Sequence, residues 1–84
     1  MTKLEEKLIE LGYKMSYDYE EHINAIKFDL DFDCDLVIKI KDNQIIDWYV
    51  YSLTRHFKTD TQLVNLQWAL EDLQNDLEVL KELC

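Results

Sequence analysis

The spacing of apolar and polar positions changes period twice along this 84-residue chain. Near the start, Leu4, Leu8 and Leu11 recur at helical spacing, behind Thr2 and Glu5, which are placed to form a capping box. Gly12 stands where a helix C-terminus takes a positive φ, so a helix over about residues 3–11 is predicted. Residues 13–21, YKMSYDYEE, show no period and read as a linker. The period then becomes two. Ile26, Phe28, Leu30 and Phe32 alternate with Lys27, Asp29 and Asp31. Leu36, Ile38 and Ile40 alternate with Val37, Lys39 and Lys41, and Ile46, Trp48 and Val50 with Asp47, Tyr49 and Tyr51. The polar stretch Lys41–Asp42–Asn43–Gln44 between the last two runs is a hairpin turn. Three strands in sequence with tight connections make an antiparallel meander, one face apolar and the other mixed.

The last run returns to helical spacing. Thr59-Asp60-Thr61-Gln62 opens it as a second capping box, and Leu63, Leu66, Leu70, Leu73, Leu77, Leu80 and Cys84 follow in 3,4 alternation. Val64, Trp68, Ala69, Val79 and Leu83 widen the stripe, as suits a helix lying on a sheet. At ~1.5 Å per residue a helix over 60–83 is ~36 Å long, whereas strands of this length reach ~20–25 Å. It therefore overhangs the sheet or breaks, and Asn75 is the weakest helix former in its middle. The expected fold is a single α+β domain over 1–84: α-β-β-β-α, a three-stranded meander covered on one face by the terminal helices.

Charge sharpens the picture. Acidic residues outnumber basic ones 18 to 9, and each of 1–21, 22–53 and 54–84 holds six acids against three bases. The excess belongs to a folded surface and to no detachable tail. Ten aromatics and 48% apolar residues are enough for a core. With its few bases scattered, the chain is poorly suited to bind a nucleic-acid backbone directly. No apolar run is long enough to span a membrane, and MTKLEEKL lacks the apolar core of a signal peptide, so the expected location is cytoplasmic. Cys34 and Cys84 fit free thiols of a reducing compartment.

Catalytic chemistry is sparse. The two histidines, His22 and His56, lack a nucleophile at supporting spacing, the one Gly caps a helix, and no Cys/His cluster has zinc spacing. Asp31, Asp33, Asp35 and Asp42 echo a calcium loop, but Leu36 stands where its turn wants Gly and Asp42 where it wants a bidentate Glu. No enzyme, metal or cofactor is expected. The basic run Arg55-His56-Phe57-Lys58 reads as a loop ahead of the last helix.

Surface chemistry is richer. Asp29, Asp31, Asp33 and Asp35 stand at every second residue. On one strand they would form a row ~6.6–7 Å apart, near the spacing of phosphates along a nucleic-acid strand. Tyr17, Asp18, Tyr19, Glu20 and Glu21 combine aromatic anchors with carboxylates, and Tyr49 and Tyr51 join Asp47 on the open sheet face. Both patterns suit a basic, arginine-bearing protein surface, such as that of a nucleic-acid-binding enzyme. The leucine seam has a second reading: Leu73, Leu77 and Leu80 pairing with another copy in a homo-oligomeric assembly protein. Glu71, Asp72, Asp76, Glu78 and Glu82, with Lys81 as the one base, make the outer side of that helix strongly acidic.

The α-β-β-β-α order is also that of double-stranded-RNA-binding domains, whose last helix opens with a phosphate-gripping basic cluster. Here Arg55 and Lys58 are followed by Asp60 on an otherwise acidic chain, which speaks against that role. In element order, acidity, scarcity of Gly and Pro, and the opening LEEKLIELGYK, the chain resembles small bacteriophage inhibitors of the type II-A anti-CRISPR kind. That resemblance implies a protein that occupies the basic DNA-contacting groove of a nuclease, with carboxylates in place of phosphates; the chain itself is expected to be a monomer or homodimer. It carries no residue-by-residue correspondence.

Overall fold

A computed structural model describes residues 2–17, 22–30, 34–52 and 60–83, and the side chains of the last helix from residue 66 onward. Its elements are α1 (Lys3–Glu10), β1 (Lys14–Tyr17), β2 (Ile23–Asp29), β3 (Cys34–Lys41), β4 (Gln44–Ser52) and α2 (Asp60–Lys81). The four strands form one antiparallel sheet in the order β1-β2-β3-β4. The fold is α+β as expected, with one strand added. The stretch read as a linker holds β1, which pairs Lys14–Tyr17 with Ile23–Ile26. Lys14–Tyr17 shows only one partly buried side chain, Met15, so as a sheet edge it leaves almost no apolar periodicity to read.

Local chemistry sets the boundaries. Thr2 Oγ1 accepts the amide of Glu5 at 3.2 Å and caps α1. At the other end Gly12, with φ of 102°, donates to Ile9 O at 3.0 Å, and Tyr13 donates to Leu8 O at 2.9 Å. This is a Schellman ending, completed by the contact of buried Tyr13 with the core around Leu8. The β3–β4 turn has two residues, Asp42 and Asn43, with φ of 52° and 61°. These are the left-handed values of a type I′ hairpin, and Asp and Asn tolerate them better than other side chains do. Between Lys39 and Ile40 the register shifts, leaving Ile46 as the extra residue of a bulge in β4.

The helices cover one sheet face. Leu4 and Leu8 of α1, Ala25 of β2, Cys34, Leu36, Ile38 and Ile40 of β3, and Ala69, Leu73, Leu77 and Leu80 of α2 form the core, with Tyr13. Burying a leucine completely contributes about 1.5–3 kcal/mol. The leucine seam therefore packs inside its own chain. Leu73 and Leu80 are 0% exposed and Leu77 is 8% exposed, so they present no surface for a second copy, and the oligomer reading of that seam is corrected. Helix α2 runs without a break through Asn75 over 22 residues. The capping box proposed at Thr59 lies outside the described residues, as do Cys84 and the basic run at Arg55–Lys58.

One phase of the strand pattern is reversed. In β2 the register sets Ala25 opposite Ile38 and Lys27 opposite Leu36, so Ala25 and Lys27 face the helices. Ile26 and Phe28, the expected core positions, lie on the opposite face with Val37. Small Ala25 and Ala69, both 0% exposed, let α2 approach the sheet closely, and Lys27 has an ionic partner there. Two substitutions check this account by chemical denaturation. Gly12→Ala, whose new Cβ would sit 3.3 Å from Lys27 Cδ at a positive φ, should cost about 1–2 kcal/mol. Leu73→Ala should cost about 2–5 kcal/mol.

Candidate functional site

At the junction of α1, β2 and α2, Asp76 Oδ2 accepts the Tyr13 hydroxyl at 2.8 Å and the Lys27 ammonium at 2.6 Å. Lys27 Nζ also donates to Leu11 O at 3.3 Å and lies 4.8 Å from the centre of the Tyr13 ring. The group is largely shielded, so the ion pair acts at a lower effective dielectric than an exposed one. Burial, and then the carboxylate of Asp76, hold the Tyr13 phenol protonated well above its ordinary range. Sequence spacing gave no hint of this trio, because Tyr13 and Asp76 stand 63 residues apart.

Beside it opens a cleft of about 390 Å³, lined by Lys27, Asp29, Leu30, Asp72, Asn75 and Asp76 among others. The cleft leads onto the outer face of α2. At 100° per residue, Glu71 and Glu78 fall on the arc opposite the buried Ala69–Leu73–Leu77–Leu80 stripe, Asp72 on its flank toward the cleft, and Glu82 stands exposed just past the helix end. Trp68, 50% exposed, and Val79 lie among them and point away from the sheet, and Leu83 is exposed past the helix end, contrary to the expectation that these three widen the packing stripe. Lys81 is the one base on the described part of α2, and it pairs with Glu78 at 3.3 Å. Both partners are well exposed, so that pair neutralises little. An aromatic anchor ringed by carboxylates thus exists, on the last helix.

The aspartate row does not. Strand β2 ends at Asp29, and β3 brings Asp35 back antiparallel. Asp29 pairs with Cys34 on the helix face, whereas Asp35 pairs with Phe28 on the other face. The hairpin therefore sends the two carboxylates to opposite sides of the sheet. Asp29 joins Asp72 and Asp76 in the cleft, and Asp35 leaves them. Tyr17 ends β1, 71% exposed, on the helix side. Asp31, Asp33, Asp18, Tyr19, Glu20 and Glu21 lie outside the described residues.

The sheet face away from the helices has a different character. Tyr49, Tyr51 and Asp47 share it, as the alternation predicts, and are joined by Ile26, Phe28 and Val37. Asp47 sits opposite Lys39 in register, and its Oδ1 accepts the Trp48 amide at 2.8 Å, satisfying one donor of the edge strand β4. No helix in the described residues is long and apolar enough to cross a membrane. No protein-family model, curated protein or solved structure matches the chain, so the site is read from its own geometry.

Because Tyr13 stays protonated in the fold while its unfolded counterpart ionises near pH 10.0, its contribution is fully present below that pH and is lost as pH rises through the raised folded value. Denaturation midpoints followed upward from pH 9 should fall more steeply for the parent than for Tyr13→Phe, with no such difference at neutral pH. Asp76→Asn, which strips the ammonium of its counter-charge, should cost about 1–3 kcal/mol at neutral pH.

Proposed function

We propose that this chain is a non-catalytic binding protein that engages a cationic protein surface of the kind that grips nucleic acid, such as the groove of a nuclease, and blocks it. One observation carries the reading: Glu71 and Glu78 share the outward arc of α2 with the half-exposed Trp68, Asp72 and Glu82 stand beside them, and Lys81 is the one base among the described side chains of that helix. A helix packed on a sheet from Ala69 to Leu80 holds carboxylates at fixed intervals, about 10 Å from Glu71 to Glu78 along its axis. Rigid placement limits the ordering entropy lost on binding. The exposed indole offers a flat surface for arginine. The formal charge of −9 adds long-range steering toward such a groove.

The working carboxylates in this reading are those of α2, with Asp29 at the mouth of the adjoining cleft. They replace the strand row of Asp29 to Asp35, whose ends the hairpin separates. Small acidic phage inhibitors of nucleases act in this manner, and the proposal extends that mode of action to this chain.

Titration against a panel of purified nucleases, with polyarginine as a generic cationic probe, tests the proposal. At least one nuclease should bind, with a dissociation constant that rises steeply with salt and with DNA as a competitor. The triple variant Glu71→Gln/Glu78→Gln/Glu82→Gln should weaken binding roughly tenfold or more. Binding indifferent to both salt and the triple variant, or no binding to any cationic surface, overturns it.

A further inference from the structure

The helix-free face of the sheet is apolar where an open antiparallel face is ordinarily polar. Val37 at its centre is 5% exposed although neither described helix covers it; Ile26 and Tyr49 flank it in register, with Phe28 and Tyr51 on the next row, each itself partly exposed. A contiguous apolar patch of this kind marks an interaction surface. Its charges differ from those of the rest of the molecule. By register the described strands place Lys14, Lys39 and Lys41 there against Asp35 and Asp47, a net of +1 in a chain of −9. A cationic partner finds no excess of acid on this face, and a nucleic acid finds too few bases.

We infer that the occupant is a second copy of this chain, docked face to face across a two-fold axis. An isologous contact is self-complementary, which a patch carrying both charge signs allows, and Lys39 lies directly opposite Asp47 in register. Repulsion between two copies at −9 each is the obstacle, and among the described residues the fold lessens it by segregation. Glu71, Asp72, Asp76 and Glu78 are on α2, behind the sheet, with Glu82 just past its end. With layers about 10 Å apart, the two α2 helices of a stacked pair stand about 30 Å from each other, several times the Debye length of about 8 Å at physiological ionic strength. Edge-to-edge pairing through β4 is less suited, since that edge carries a bulge and one of its amides is taken by Asp47.

This inference is independent of the cationic-surface reading, and salt separates the two: target binding weakens as salt rises, and this self-association does not. Sedimentation equilibrium of the intact chain should show a concentration-dependent dimer. Tyr49→Glu should raise its dissociation constant at least tenfold, while Trp68→Glu, on the opposite layer, should leave it unchanged. Circular dichroism checks that both variants fold. Should Tyr49→Glu fail to fold, dilution of the unmutated chain should shift NMR signals of Ile26, Val37 and Tyr49 while leaving those of α2 in place. A chain that stays monomeric at every concentration, as expected if an unrelated protein covers the face, overturns the inference. So does a dimer disrupted by Trp68→Glu, or dilution shifts confined to α2.

Discussion

Two layers meet in this molecule, and Asp76 is where they are keyed together. Its carboxylate holds a phenol from the end of α1 and an ammonium from β2, so three segments distant in sequence converge on one atom. The arrangement sets the phase of β2. With Lys27 turned toward the helices to reach Asp76, Ala25 must face the same way, and Ile26 and Phe28 must face outward. Ile26 and Phe28 thereby join Val37, Tyr49 and Tyr51, which alternation alone places on the helix-free face. The cleft beside α2 is lined by the same Lys27 and Asp76, together with Asp72.

The acidity is distributed with the same economy. On the described part of α2, Glu71 and Glu78 lie on the outer arc and Asp72 and Asp76 line the cleft, while the strands of the open face carry slightly more lysine than aspartate. Among the described residues the molecule thus has an anionic helix side and a nearly neutral sheet face, separated by its own core. Surfaces so different take different occupants, which is why one charge-driven and one shape-driven contact can coexist without competing for the same residues.

Much of this was legible in the chain. The Thr2 cap, the Gly12 ending, the Asp42-Asn43 turn and the leucine stripe are short-range signals, each caused by neighbours within a few residues. The placement of Tyr49, Tyr51 and Asp47 on one face follows from simple alternation. Three readings failed, each for its own reason. Strand β1 is an exposed edge with little apolar content; the phase of β2 goes with a partner 49 residues away; and the two described ends of the aspartate row, Asp29 and Asp35, fall on opposite faces of an antiparallel pair. Trp68 was misplaced because an apolar residue next to a leucine stripe looks like part of it, while its true angle around α2 is set by which arc meets the sheet.

Every strand in this sheet pairs with its neighbour in sequence. Meanders of that kind assemble through short loop closures, and a two-residue turn with the backbone twist its strands require gives the β3–β4 hairpin the smallest entropy to overcome. The contacts made by Asp76, across 49 and 63 residues, close far longer loops. The chain is therefore built to zip its sheet from the tight hairpin outward and to lay the long helix down afterwards, with its leucines finding a surface already formed.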